Sequence, residues 1–254
     1  MSILALPDYT PSDNVLAERI LLITGASDGI GAALAKRCAQ LGATVILNGR
    51  DTRKLEAVYD SIVADGGPKP AMLPLDFKRA KLDQYAELAN VVENEFGRLD
   101  GLAHIAGILG DMSPIAHYAP MAWHDVIHVN LNAVFLLTQA CIPLLLKSED
   151  ATAVFASSSV GRKGRAHWGA YAVSKFGVEG LMQIVADEHD REKGGIRSNS
   201  VNPGATRTDM RASAYPAEDK SVLLTPEQVL APFIYCLGPD SKGTSGKTFD
   251  AQPK

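Results

Sequence analysis

Apolar positions along this chain fall into two alternating patterns. The short apolar run at residues 19–24 reads as a strand buried on both faces; residues 44–47, 71–75, 99–105, 151–156 and 196–201 read as further strands, and residues 248–250 as a short last strand. Between them, residues 30–41, 53–64, 81–96, 121–146, 170–192 and 226–237 repeat apolar side chains at helical spacing. Gly42, Gly97 and Gly194-Gly195 stop three of these helices, and Asp65-Gly66-Gly67-Pro68 stops a fourth. The pattern predicts that Pro143 interrupts the long helix 121–146 and that 226–237 is helical despite Pro232.

Strand and helix alternate throughout, which implies a parallel sheet with helices on both faces. The expected fold is α/β, a doubly wound, Rossmann-like sheet of about seven strands in a single domain over residues 19–254, preceded by an N-terminal extension over 1–18. Such sheets bind ligands beyond the carboxyl ends of their strands, where strand order reverses. Candidate functional residues should therefore follow strands.

The first strand runs into Thr24-Gly25-Ala26-Ser27-Asp28-Gly29-Ile30-Gly31 and then into the first helix. Gly25 permits a tight turn, Gly29 a close backbone approach to a pyrophosphate, and Gly31 close packing of helix on sheet. With Ser27, Asp28 and Ile30 between them, these residues present free N–H groups at the positive end of a helix. After the second strand the chain reads Asn48-Gly49-Arg50. The carboxylate that would bind a ribose 2′-hydroxyl is missing, and a guanidinium suited to a 2′-phosphate follows at once. This favours NADP(H) over NAD(H), unless Arg50 is only a solvated loop charge. Asp76, after the third strand, either accepts from an adenine amino group or caps a helix.

Tyr171 and Lys175 open a helix at i, i+4 spacing and so share a face. An ammonium beside the phenol would stabilise the phenolate and lower its pKa, making Tyr171 a proton donor to a carbonyl oxygen during hydride transfer. Ser157-Ser158-Ser159 ends the fifth strand, where a hydroxyl could meet the same oxygen. No Gly-x-Ser-x-Gly elbow surrounds these serines, which argues against a hydrolase.

The glycine loop from Thr24 to Gly31, Asn130, Ser158, Tyr171-x-x-x-Lys175 and Asn202-Pro203-Gly204 resemble, in order and spacing, the short-chain dehydrogenases/reductases. Within that family the stretches at 109–111, 157–162, 206–208 and 248–252 are similar to the YciK-type bacterial reductases. The resemblance implies that Ser158 orients the substrate oxygen, Tyr171 is the acid or base, and Lys175 holds the nicotinamide ribose and tunes Tyr171. It implies that Asn130 fixes a water linking Lys175 to solvent, and that Ala106 and Gly107 contact the cofactor through their backbone. Pro203, Gly204 and Thr208 would lie against the nicotinamide carboxamide, Thr208 being alternatively a helix cap. Two departures stand out: His104-Ile105-Ala106-Gly107 replaces the usual Asn-Asn-Ala-Gly, and Phe249-Asp250-Ala251-Gln252 replaces the usual Asp-Gly-Gly. His104 reads as structural.

Ile108, Leu109, Ser159, Val160, Trp168 and Met210 are expected to line the substrate pocket, with residues 211–224 as a mobile lid. Arg162, Lys163 and Arg165 either attract an anionic substrate or decorate a solvated loop.

Composition narrows the class further. At 254 residues, 46% apolar and 21% charged, the chain can bury a core without disulfides or a metal. Its net charge of −4, with no basic block, excludes the footprint of a nucleic-acid binder. Cys38, Cys141 and Cys236 are far apart and read as reduced thiols in a cytoplasmic protein. No secretory signal or membrane-spanning apolar stretch is evident. The expected protein is a homodimeric or homotetrameric NADP(H)-dependent oxidoreductase acting on a small carbonyl or alcohol; the alternative is a non-catalytic NADP(H)-binding sensor.

Overall fold

The computed structural model describes residues 3–6, 9–189 and 195–252. Eight strands form one parallel sheet: β1 (Ile3–Ala5), β2 (Ile20–Thr24), β3 (Thr44–Asn48), β4 (Ala71–Met72), β5 (Gly101–His104), β6 (Ala151–Ala156), β7 (Ile196–Asn202) and β8 (Lys247–Asp250). Their order across the sheet is β1-β8-β7-β6-β5-β2-β3-β4. From β2 the chain winds outward through β3 to β4, and from β5 it winds the other way through β6, β7 and β8. The reversal between β2 and β5 is the crevice where ligands of such sheets bind.

Helices α1 (Gly29–Gln40), α2 (Thr52–Ala64) and α8 (Ala231–Leu237) cover one face; α3 (Leu82–Phe96), α5 (Ala133–Leu145) and α6 (Gly169–Glu188) cover the other. β5 and β6 are buried at every position, and only the first residue of β2 and of β3 is partly exposed, as a parallel sheet covered on both faces requires. Residues 3–5, where the sequence pattern marked no element, pair with β8 from Ile3 opposite Thr248 to Ala5 opposite Asp250. Three residues are too few to show a period. The predicted third strand, 71–75, keeps ladder pairing only at Ala71 and Met72.

The long helix is interrupted elsewhere than expected. It runs as α4 (Pro120–Ile127), a π-helical turn (His128–Asn132) and α5, while Pro143 sits within the last turn of α5. The π turn contains Asn130 and inserts an extra residue where this helix meets the site. Length and apolar content alone would let Pro120–Leu145 cross a bilayer, but Val134, Leu137, Cys141, Leu144 and Leu145 of this helix are buried in the core beneath the sheet. In the 226–237 region, a 3-10 turn (Pro226–Val229) precedes α8, whose Pro232 lies in the first turn, where its missing donor is tolerated. The expected helix end at 192 lies outside the described residues.

Candidate functional site

The glycine turn fits its place by steric necessity. A Cβ on Gly25 would lie 2.9 Å from the backbone N and Cα of Ala106, and one on Gly31 would lie 2.1 Å from the carbonyl oxygen of Gly25. Thr24 ties the two strand ends of the crevice together: its hydroxyl accepts from the N–H of Ile105 (3.0 Å) and Ala106 (3.1 Å) and donates to the Ala103 carbonyl (3.3 Å). That is how the loop after β5 is held although Ile105 replaces the family asparagine. Asp28 caps α1 by accepting from Gly29 N–H (2.7 Å), and the Lys54 ammonium bound to it holds its carboxyl below the usual carboxylate range.

A groove of about 530 Å³ opens from this turn along the carboxyl ends of the strands. Of the residues singled out from sequence, Gly25, Ser27, Asp28, Gly29, Ile30 and Gly31 line one part of it, and Arg50 and Asp76 another. Ala106, Gly107, Tyr171, Lys175, Pro203 and Thr208 line the rest. Ser158, Asn130 and Gly204 do not line it, though Ser158 bonds to Tyr171 and Asn130 to Ile108, which do. At the β3 end, Asn48 is fully buried; its Nδ2 donates to Leu73 O (2.8 Å) while its Oδ1 has no partner. Arg50 and Lys54 are exposed nearby. Asp76 lines the groove and caps no helix; its Oδ1 accepts from Lys78 N–H (3.1 Å) in the turn before α3. Thr208 likewise lines the groove and caps α7 (Asp209–Ala214) by accepting from Arg211 N–H (3.2 Å).

Tyr171 and Lys175 project from the first turns of α6, both almost fully buried. Lys175 donates to the Ala156 carbonyl at the end of β6 (2.7 Å), with its nitrogen 5.7 Å from the centre of the Tyr171 ring. Burial pushes the Tyr171 phenol up to about 12, against a smaller opposing effect of its hydrogen bond with Ser158. The i, i+4 pairing suggested a lowered phenol; burial sets the opposite direction. Burial likewise pushes Lys175 down to about 8, with Glu179 opposing it. His104 is a core residue. It bonds Thr138 through Nε2 (2.9 Å) and stacks on Phe155, and burial pushes it down to about 3, so it stays neutral.

Asn130 clamps the loop after β5 from both sides. Its Oδ1 accepts from Ile108 N–H (2.8 Å) and its Nδ2 donates to Ile108 O (2.9 Å) and Ser174 Oγ (3.2 Å). The amide of Gly204 donates to Asn202 Oδ1 (3.1 Å).

Beside Tyr171, the expected substrate side is apolar. Tyr118, Val160, Trp168 and Tyr171 are buried together, with Ile108, Leu109 and Met210 partly buried against them; Ser159 is exposed. In the segment expected to be a lid, Arg211 pairs with Glu218 and lies 3.9 Å from the Tyr215 ring centre, and Tyr215 packs on Trp168. Arg162, expected near an anionic substrate or in solvent, does neither. It is half-buried between Asp250 and Glu179, while Lys163 and Arg165 are exposed. Sequence reasoning missed Lys54, one helical turn past Arg50, and Glu179, one turn past Lys175; in both cases i+4 spacing from a chosen residue was the available signal. Among the described residues no cluster has the makings of a metal site.

Comparison with known proteins places this geometry. The short chain dehydrogenase family model matches residues 19–219. The uncharacterized oxidoreductase YciK of Escherichia coli K12 is 49% identical over 245 residues, covering 96% of each chain. A short chain dehydrogenase from E. coli CFT073, crystallised with NADPH, is 48% identical with a TM-score of 0.93, covering 96% of this chain and all of the other. One from Shigella flexneri 2a str. 301, crystallised with NADP, is 48% identical with a TM-score of 0.92, covering 95% of this chain and all of the other.

Proposed function

This chain belongs to the short-chain dehydrogenase family, and on that premise we propose that it is an NADP(H)-dependent oxidoreductase interconverting a small, uncharged carbonyl compound and its alcohol. The observation that carries the reading is the convergence of Ser158, Tyr171 and Lys175 at the end of β6, beside a groove that begins at the glycine turn. The groove suits NADP(H) in three ways. Its glycine cradle has no room for a Cβ, an unpartnered Asn48 oxygen is buried at the β3 end, and Arg50 with Lys54 stands where an NAD site would carry a carboxylate. Relatives crystallised with NADP and NADPH support the same choice.

The cofactor supplies or accepts the hydride when bound. The N–H groups at the start of α1 would hold its pyrophosphate, and Arg50 and Lys54 its 2′-phosphate. Ser158 donates to the substrate oxygen, and Tyr171, whose proton is firmly held at neutral pH, delivers that proton as negative charge develops there. Lys175 holds the nicotinamide ribose; as an ammonium beside Tyr171 it stabilises the phenolate left behind. Asn130 fixes the loop carrying Ala106 and Gly107 and serves the proton path from Lys175. Apolar walls from Val160, Trp168 and Met210 exclude water and favour uncharged substrates. Exposed Phe135, Val173, Phe176 and Ile184 on α5 and α6 support a homo-oligomer, and three buried free cysteines support a cytoplasmic setting.

The test follows NADPH oxidation at 340 nm against a panel of cyclic and aromatic ketones and aldehydes, with wild type and Tyr171→Phe. We expect turnover that Tyr171→Phe lowers by at least ~10²-fold while NADPH binding persists. Undiminished turnover would remove Tyr171 from its role, and NADPH binding with no turnover across the panel would favour the sensor instead.

A further inference from the structure

One turn beyond Lys175 on α6 sits a buried carboxylate that the reaction above does not use. Glu179 is 6% exposed and fully engaged. Its Oε1 accepts from Ser157 Oγ (2.5 Å) and faces Arg162 Nε (3.5 Å); its Oε2 accepts from Ser200 Oγ (2.8 Å) and Thr248 Oγ1 (3.1 Å). These partners come from the ends of β6, β7 and β8 and from the turn after Ser158. Arg162 carries the connection onward by donating to Asp250 Oδ1 (2.7 Å). Asp250 Oδ1 also accepts from Asn202 Nδ2 (3.0 Å), whose own Oδ1 takes the Gly204 amide (3.1 Å). Gln252 completes the hold, its Nε2 donating to the carbonyls of Pro203 (2.9 Å) and Ala205 (3.0 Å).

A buried carboxylate is costly unless paired, and an apolar side chain of similar size would fill the same space more cheaply. What the charge adds is fixed geometry. One forked guanidinium is shared by two carboxylates, one on the helix of Tyr171 and Lys175 and one on the strand that braces the 202–205 turn. We infer that Glu179 and Arg162 are positioning residues for the nicotinamide half of the cofactor groove, locking α6 to the 202–205 turn so that Lys175 and Pro203 stand at a set separation. The inference rests on the NADP(H) reading above.

The test needs no substrate. Binding of NADPH, followed by its fluorescence, is compared with binding of adenosine 2′,5′-bisphosphate, which occupies only the adenosine half, by calorimetry. Wild type, Glu179→Gln and Arg162→Lys are measured, each with a thermal melt. Arg162→Lys keeps the charge but cannot bridge both carboxylates, so it serves if Glu179→Gln folds poorly. We expect NADPH binding to weaken by roughly 10- to 100-fold in Glu179→Gln, and by less in Arg162→Lys, with the bisphosphate held within about twofold of wild type. Unchanged NADPH binding in both variants, or equal weakening of both compounds, would overturn the inference while leaving the cofactor reading intact. Failure of wild type to bind either compound would take down the cofactor reading first, and this inference with it.

Discussion

Replacing Lys175 by methionine should make the ligand-free protein more stable while weakening NADPH binding. Burial pushes the Lys175 ammonium from 10.5 down to about 8. At about 1.36 kcal/mol per pKa unit, folding disfavours the charged side chain by about 3 kcal/mol at neutral pH. Methionine fills similar space without a charge but forfeits the hydrogen bond to Ala156 O, a loss of about 1.5 kcal/mol. The balance, about 2 kcal/mol in favour of the variant, corresponds to a midpoint rise of about 4–8 °C for a domain this size. The groups facing the ammonium sharpen the pH dependence. His104 on β5 and the Tyr171 phenol are neutral at pH 7, and Glu179 on the same helix favours the charge. Between pH 8 and 10.5 the unfolded chain keeps a lysine proton that the folded chain has released, so wild-type stability rises with pH through that window. The advantage of Lys175→Met should therefore be full at pH 7 and close as pH approaches 10.5. Urea unfolding followed by tryptophan fluorescence at both pH values measures it. A variant less stable than wild type at pH 7, or a gap independent of pH, would refute the reasoning.

Two further outcomes follow from the groove. Arg50→Ala should weaken NADPH binding about tenfold and leave NADH binding unchanged, with the difference shrinking at high salt; fluorescence titrations at two ionic strengths decide it. Gly31→Ala should abolish NADPH binding and lower stability by about 1–3 kcal/mol, because the new methyl meets the Gly25 carbonyl at 2.1 Å and only backbone can give way; titration and a thermal melt report the two effects.

The fold was legible wherever burial leaves a periodic trace. β2, β3 and β6 are mostly apolar because both faces are covered, whereas β7 is equally buried but largely polar, and the glycine turn is visible because only glycine fits its contacts. β1 and β4 leave weak traces, since three and two residues cannot establish a period. The π turn was unreadable for a different reason: a one-residue insertion barely alters helical spacing, so Pro143 drew attention that belonged to Asn130. Positions of the site residues followed from motif spacing, but their electrostatics did not. The i, i+4 pairing suggested a lowered Tyr171 phenol, and only the depth of burial shows the opposite direction. Arg162 misled in a similar way. Within its own loop it looks like one of three surface cations, while its partners Glu179 and Asp250 lie 17 and 88 residues away.

The edge pairing of β1 with β8 bears on when the protein becomes competent during synthesis. Thr248, the partner of Ile3, is made only after all the intervening sequence, a delay of roughly 10–50 s at ordinary translation speed. Until then β1 has no neighbour and β7 keeps an open edge. The same late strand and the residues after it carry Asp250 and Gln252, which hold the 202–205 turn. A nascent chain that has already exposed Tyr171 and Lys175 but not Asp250 and Gln252 thus still lacks the side chains that hold the 202–205 turn, and should grip NADPH less well than the full chain.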